Sequence, residues 1–356
     1  MDAKTVRIKD IAQLSGVSVG TVDRVLHNRG KVSDVARKKV LSILGQIDYK
    51  PNVIARTLGS NKTYRIAALM PNPEQDPYWA FSKAGIDQAQ AEWLRYGLNV
   101  VPYFFNLYDK DSFNSVAEAV ADSHPDGILI APIFYHETLP YFNRFQEMGI
   151  PCVLFNTQIE QVPSLSFIGQ DLYQSGRVGG ELMDLCLRGE SGSVAVLHLN
   201  EDLGNSVHLA EKERGFRDYF ENAKHSRFEV KTLNVYNPPA SMFEDQLGAF
   251  LEDLSVRGIF VSTSKATYLI ASYLERKKKT WIRLIGYDML EENIRFMKHG
   301  VINFLINQNP KRQAFLGIQH LVSHLILKRT PPDSDLLPLE IISPENIHSY
   351  LQSGIH

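Results

Sequence analysis

Apolar and polar positions change their period part-way along this chain. Ile8, Ile11 and Ala12 recur at helical spacing until Gly16 and Val17 interrupt, the glycine suiting a left-handed helix end. Ser18 follows as an N-cap candidate, and Val22, Val25 and Leu26 supply the apolar face of a second short helix. Ser33 opens a longer third helix with Ala36, Val40, Ile43, Leu44 and Ile47 along one side. The polar stretch GSNKTY at 59–64 reads as a domain boundary. Beyond it, short apolar runs alternate with amphipathic segments of helix length. Strands are predicted at 66–70, 98–105, 127–131, 152–155, 194–199, 229–235, 258–262, 284–286 and 301–306, with helices such as 80–96, 173–187 and 210–221 between them. Such alternation argues for parallel, doubly wound α/β sheets, and some 290 residues suggest two lobes.

Composition adds a polarity to this plan. The whole chain of 356 residues has 38 Lys+Arg against 40 Asp+Glu, yet its first 60 residues carry 11 basic and 5 acidic side chains. That leaves a head of net +6 on a body of net −8, as expected when only one end meets phosphates. A solvated basic surface gives the same arithmetic. At 44% hydrophobic residues the chain can bury a sizeable core. Its first thirty residues hold no apolar signal region, and no stretch approaches the apolar length of a membrane span. Cys152 and Cys186, each in an apolar run, read as buried free thiols of a reducing compartment. The expectation is a cytoplasmic protein with no membrane contact.

Two short helices joined by a tight glycine turn have the spacing that lets the second enter a major groove. The exposed face of that second helix carries Val19, Gly20, Thr21, Asp23, Arg24 and His27. An ordinary three-helix bundle would show the same periodicity. The wording IKDIAQLSGVSVGTVDRVL, followed by DYKPNVIARTL, resembles the lac-repressor family of bacterial transcription regulators across headpiece and hinge. The resemblance implies a DNA-binding unit over 1–60 in which Ser18, Thr21 and Lys31 hold phosphates and Val19, Gly20 and Arg24 face base edges. It adds His27, Asn52 and Ala55 to the DNA-binding set. It also implies a hinge helix at 53–58 that folds on the operator, with Leu58 wedged into the minor groove. Asp23 stands where the family usually has serine, and it either accepts from cytosine or pairs with a nearby Arg or Lys.

The likeness continues. Residues 66 to about 340 look like the ribose-binding-protein type of sugar-binding fold that this family carries as its effector domain, through IAALMPNPEQDPYWAFSKAGIDQAQ, GIPCVLFNTQ, EKERGFRDYF, LIGYD and INQNP. It implies an effector and dimerisation domain over 64–342 in two lobes, with crossings near 160, 288 and 325 and ligand in the cleft between. Asp76, Tyr78 and Trp79 follow its first strand, a polar group beside two aromatics that suits a sugar. Tyr78 and Trp79 read equally as the core face of the next helix. Asp288 serves either ligand hydroxyls or a helix N-terminus, while Asn156 and Gln308 are strand-end amides that fit a ligand or a turn. Where the family usually has a clamping arginine this chain has Lys212, with Arg214 nearby. Thr263-Ser264 replaces its Asn-Asp pair, and Phe134, Tyr135 and His136 enlarge the aromatic surface or cover the lobe.

No GxGxxG after a strand, P-loop, GxSxG or HExxH motif occurs. Glu291-Glu292 falls at a helix start, and Lys277-Lys278-Lys279 reads as a solvated turn. The expectation is a homodimeric, non-enzymatic regulator of operator DNA, without metal or cofactor, controlled by a small sugar. A neutral sugar comes first and a phosphorylated or acidic one second, because of Lys212 and Arg214. The alternatives are a sugar-binding module without operator binding, or an enzyme on a sugar or nucleotide.

Overall fold

The computed structural model describes residues 8–26, 29–47, 62–199, 203–222, 227–235 and 240–353. The chain divides into two compact units, residues 1–56 and 57–356.

The smaller unit has helices α1 (Ile8–Ser15), α2 (Val19–Leu26) and α3 (Asp34–Gln46). Gly16 ends α1 in the left-handed region, at φ 65. Ser18 Oγ accepts from the Thr21 N–H at 3.2 Å, and Ser33 Oγ caps α3 through the Ala36 N–H at 3.3 Å. Ile11, Ala12, Val22, Val25 and Val40 make its small core. Each cap and the glycine turn stand where the residue types predicted them. His27, Asn52, Ala55, Leu58 and the expected hinge helix lie outside the described residues.

The larger unit holds two six-stranded sheets. The first joins β1 (Tyr64–Pro71), β2 (Leu98–Phe105), β3 (Gly127–Ile130), β4 (Cys152–Phe155), β5 (Ser166–Gly169) and β11 (Ser334–Leu336) in the order β11-β5-β4-β3-β1-β2. The second joins β6 (Gly192–Leu199), β7 (Phe228–Val235), β8 (Val256–Val261), β9 (Arg283–Tyr287), β10 (Phe304–Asn307) and β12 (Glu340–Ile342) in the matching order β12-β10-β9-β8-β6-β7. Pairing is parallel except between β10 and β12. Every residue of β3 and β4 is buried, as strands covered on both faces require. The covering helices are α4 (Pro77–Trp93), α5 (Lys110–Asp122), α6 (Tyr135–Glu147), α7 (Leu172–Cys186), α8 (Val207–Asn222), α9 (Ala240–Phe250), α10 (Ser264–Arg276), α11 (Glu291–Lys298), α12 (Pro310–Leu325) and α13 (Ile347–Ser353).

The chain crosses between lobes three times: from β5 to α7 at Gln170, from β10 to α12 at Gln308 and Asn309, and between β11 and β12 near Pro338. These positions correct the expected 160, 288 and 325. Two of the three shifts come from β5 and β11, strands of four and three residues too short to show a period, which carry the chain further before it leaves the first sheet; the crossing expected at 288 fell one strand early, before β10. The carboxamide of Gln170 pins all three passages, its Nε2 donating to Asn307 O at 2.9 Å and to Pro338 O at 2.7 Å. The strand expected at 301–306 begins only at Phe304, because Gly300 at φ 77 leads Val301 and Ile302 into a buried loop. Cys152 is buried, but Cys186 on α7 is only half-buried; both are free thiols.

Helices α7 and α8 meet backbone to backbone. A Cβ on Gly176 would overlap the carbonyl oxygen of Lys212, and one on Gly215 would overlap that of Tyr173. Glycine in a helix usually costs about 1 kcal/mol relative to alanine. Here we expect the opposite sign: Gly176→Ala should destabilise the protein by about 1–3 kcal/mol through overpacking. A urea titration in which the variant gained stability would contradict this close approach.

Candidate functional site

Both sheets present the carboxyl ends of their strands to one cavity, the position where open parallel sheets hold ligands. From the first lobe come Asp76, Tyr78 and Trp79 after β1, Leu107 after β2, Ile133 after β3 and Asn156 after β4. From the second come His208 and Lys212 on α8, and Ser262, Thr263 and Ser264 after β8; Gln308 lies on a crossing. The space is about 400 Å³, solvent at its mouth included.

Local sequence explains how these side chains are held. Asp76 caps α4 by accepting from the Tyr78 N–H at 2.9 Å, with Pro77 at the first helical position. The cap turns Tyr78 and Trp79 onto the cavity wall, both nearly buried, with ring centroids 4.9 Å apart and edge to face. Tyr78 Oη donates to Asn156 Oδ1 at 2.6 Å. Burial, then the nearby Asp288 and Asp76, push the Tyr78 hydroxyl well above the ordinary tyrosine range, so it stays a donor. Asn156, Asp288 and Asn309 all adopt left-handed backbone at the ends of β4, β9 and β10, with φ of 68, 59 and 54. Such turns cost energy in residues other than glycine, and asparagine and aspartate tolerate them best.

The floor is a continuous polar network. Lys212, 2% exposed, donates Nζ to Ser262 O at 3.0 Å and to Gln308 Oε1 at 3.1 Å, and lies 3.8 Å from the centroid of the Tyr287 ring. Gln308 turns its donors the other way: its backbone N–H and its Nε2 each reach an Asp288 oxygen at 2.7 Å. Ser264 Oγ donates to the same carboxylate. Burial raises the Asp288 pKa, opposed by the bonds from Ser264 and Gln308 and by the Lys212 charge. Gln313 on α12 joins the lobes' halves, accepting from Asn156 N at 2.9 Å and donating to Gln308 O at 2.8 Å.

The cavity thus gathers Asp76, Tyr78, Trp79, Asn156, Lys212, Thr263 and Gln308 as expected. Two expectations are corrected. Asp288 sits one layer behind the wall, its oxygens occupied by Gln308 and Ser264, and so supports the site instead of lining it. Phe134 is not at the cavity; its ring packs 6.0 Å from Phe105 and from Phe113 in the lobe core, and Ile133 faces the cleft in its place. Arg214 is also elsewhere, exposed, paired with Glu211 and lying 4.3 Å from the Tyr173 ring centroid in an outer groove.

Sequence reading missed Leu107, Ile133, His208 and Ser262, and it missed the support under Ser262. His198 on β6, fully buried, contacts Ser262 Oγ through Nδ1 at 2.8 Å and Glu213 Oε2 through Nε2 at 2.7 Å. The ring faces are reversed from the serine-protease template, where Nε2 faces the serine, and Ser262 is itself fully buried. No linear signal announces this chain, since His198 stands between two leucines and its partners come from β8 and α8.

On the headpiece, Val19, Gly20, Arg24 and Lys31 are exposed and Thr21 is half-buried. Ser18 Oγ and Thr21 Oγ1 lie 2.9 Å apart, and Arg24 Nε donates to Gly20 O at 3.0 Å. Among the described residues no helix is long and apolar enough to cross a membrane.

Residues 7–52 match the family described as bacterial regulatory proteins, lacI family, and residues 66–329 match the periplasmic binding protein domain. The sucrose operon repressor of Streptococcus mutans is 24% identical over 96% of this chain and 99% of its own length. A solved protein of Bacteroides fragilis, assigned to the LacI transcriptional regulators, is 29% identical with a TM-score of 0.76, covering 81% of this chain and 100% of that one. A solute-binding protein of an ABC transporter from Burkholderia graminis, solved with D-arabinose, shares the fold at 18% identity and a TM-score of 0.73, covering 82% of this chain and 99% of its own.

Glu213 offers a test of the floor. Burial would raise its pKa, but hydrogen bonds from His198, Thr232 and Arg217 outweigh it and hold the carboxyl at about 2. A depressed acid stabilises the fold fully above its unfolded pKa and loses that contribution as pH falls through the folded value. We therefore expect Glu213→Gln to be less stable than the native protein at neutral pH. The gap should shrink as pH drops from about 4.5 towards about 2. Urea titrations at a series of pH values measure it, and a gap independent of pH would remove this role.

Proposed function

We propose that this chain, which belongs to the lacI family of bacterial regulatory proteins, is a sequence-specific DNA-binding transcriptional repressor whose operator affinity is set by a small neutral sugar. One observation carries the reading. A helix-turn-helix that turns Val19, Gly20 and Arg24 to solvent shares a chain with a two-lobed domain closed on a polar, aromatic-walled cavity. Ser18, Thr21 and Lys31 are assigned to phosphates, and Val19, Gly20 and Arg24 to base edges, with His27, Asn52, Ala55 and Leu58 completing the DNA contacts. Two headpieces are needed for a pseudo-palindromic operator, so the working form is a cytoplasmic homodimer.

The chemistry of the cavity selects the ligand. Tyr78 and Trp79 offer ring faces or edges to sugar C–H groups, while Asn156, Thr263, Ser264, Gln308 and Lys212 supply directed polar atoms. Lys212 is the one Lys or Arg among the lining residues and is counterbalanced by Asp76 at the wall and Asp288 behind it. With Arg214 outside the cavity, a phosphorylated sugar loses the second cation that favoured it. The similarity to a sucrose operon repressor and to a solute-binding protein solved with D-arabinose supports a sugar as ligand. Ligand acts by binding one lobe arrangement better than another, and the lobes pass that bias to the paired hinges. The Ser262–His198–Glu213 chain is assigned a structural role, not a catalytic one.

The test is selection of genomic fragments by the purified protein, with and without a panel of monosaccharides. Enrichment of a pseudo-palindrome that shifts with one sugar is the expected outcome. Arg24→Ala should relax its sequence preference, whereas Lys31→Ala should weaken all sequences alike and flatten the salt dependence. No enriched site in any condition would favour a sugar-binding module that does not read DNA.

Asp288→Asn addresses the ligand side. Its loss of a carboxylate acceptor should disturb Gln308 and Ser264 together, weakening sugar affinity by about tenfold or more, an uncompensated hydrogen bond being worth roughly 1–3 kcal/mol. DNA binding without sugar should be unchanged. Calorimetry with the sugar found by selection measures this, and unchanged affinity would separate Asp288 from the site.

A further inference from the structure

Helix α6 belongs to the first lobe and begins at Tyr135 without a cap of its own. The residue at its N-cap position is Phe134, whose side chain makes no capping bond. The first N–H groups of any helix have no acceptor within the helix. Two of them are satisfied here from the other lobe. The loop between β6 and α8 presents Asn205, 9% exposed, whose backbone carbonyl accepts from Tyr135 N at 3.0 Å and whose Oδ1 accepts from His136 N at 2.8 Å. Its Nδ2 then donates to Glu137 Oε2 at 2.7 Å, a carboxylate in the first turn of the same helix. Asparagine is among the strongest N-cap residues, because its short side chain reaches these N–H groups. It performs that task here for a helix 69 residues away in sequence.

We propose that Asn205 is a positioning residue that caps α6 across the cleft, so that closing the lobes and capping the helix are a single event. The proposal rests on reading the two lobes as closing around a ligand, but it names neither sugar nor operator. The three bonds exist only while the lobes are together. Opening the cleft returns the Tyr135 and His136 N–H groups to water and leaves α6 uncapped. The cap also bears on the cavity itself. Asn205 stands three residues before His208, and α6 begins two residues after Ile133, so the clasp draws together two walls of the ligand space. A separate bond crosses the cleft from a different pair of loops: Lys265 Nζ on α10 donates to Gln75 O at 2.8 Å, just before the Asp76 cap. The closed form is thus held at two places, and each should feel the loss of the other.

The experiment is amide hydrogen exchange on the full-length protein in the absence of any sugar or DNA, read at Tyr135 and His136. Asn205→Ala removes the side-chain acceptor, and exchange at His136 should rise by about tenfold, the usual scale of losing a cap. Lys265→Met touches nothing near α6, yet it should also speed exchange at His136, because it lowers the population of the closed form. Asn205→Asp keeps an acceptor for His136 but sets two carboxylates against each other. Adding Glu137→Gln in that background restores a donor and should restore slow exchange. Unchanged exchange at His136 in Asn205→Ala overturns the cap. A response to Asn205→Ala but none to Lys265→Met overturns its coupling to closure. Faster exchange spread evenly through the first lobe would signal general loss of folding, and would overturn the proposal as well. Because no sugar or DNA is present, none of these outcomes depends on the regulator reading.

Discussion

The larger unit depends on three passages of chain between two sheets and on the buried amide that joins them. Gln170 lies on the first passage and donates to a carbonyl on each of the other two. A buried amide nitrogen satisfied twice is a strong local constraint, since breaking either bond inside the protein costs desolvation without return. The lobes therefore share one short hinge and have little freedom to slide. What remains is rotation about the hinge, the usual form of cleft closure in two-lobed proteins. The constraint also orients the chemistry. Both sheets carry the same strand order, so a common hinge brings their carboxyl ends to face each other. The loops after β1, β2, β3, β4 and β8 then converge from separate parts of the chain.

Within that frame the cavity floor solves a problem of buried charge. An isolated ammonium or carboxylate in a low-dielectric interior is costly, and it persists only when paired and hydrogen-bonded. Gln308 is bonded to both Lys212 and Asp288. Its Oε1 takes the ammonium and its Nε2 meets the carboxylate, so the amide's orientation is set by the two charges it separates. Gln313 then ties the backbone carbonyl of Gln308 to the first lobe at Asn156. A ligand entering the cavity meets polar groups whose rotamers are already fixed. Such preorganisation lowers the entropy lost on binding, and it links each wall residue to the hinge through the crossing at Gln308.

How much of this was legible follows from the physical range of each signal. Helix caps are local, so Ser18 and Ser33 could be recognised from the residues beside them, whereas Asp76 was read as a ligand group and its capping role was not seen. Apolar runs marked most of the strands, and β2 and β4 begin and end where the pattern placed them. The short strands β5, β11 and β12 were not recognised, and the first and third crossings were misplaced with them. At the site, the residue types that a sugar needs were found at strand ends. Their depth was not, because whether Asp288 faces the ligand or sits behind Gln308 depends on packing across β9 and β10. Phe134 was lost to the core by a single position in favour of Ile133. His198 and Glu213 had no chance of recognition, for their meaning arises only when β6, β8 and α8 pack together. The trans cap of Asn205 is of the same kind: a capping residue with no helix start next to it reads as an ordinary loop.

The headpiece works under a different constraint. Among the described residues its core is five small or medium apolar side chains, and on the proposed reading specificity comes from the few groups on the exposed face of α2. Arg24 Nε is held on the Gly20 carbonyl, and on the proposed reading the two terminal nitrogens of the fork meet a base. A bidentate contact of that kind is worth about 1–3 kcal/mol of discrimination. Gly20 then has a definable place. Glycine in a helix costs about 1 kcal/mol relative to alanine, and a Cβ at this position would meet nothing closer than Ser18 Oγ at 3.9 Å. The unit itself therefore has room for a side chain that it does not carry. On the proposed reading the space is used from outside: the bare backbone of α2 at Gly20 comes close to the DNA, and the Arg24 fork held against that same backbone is delivered to the groove beside it.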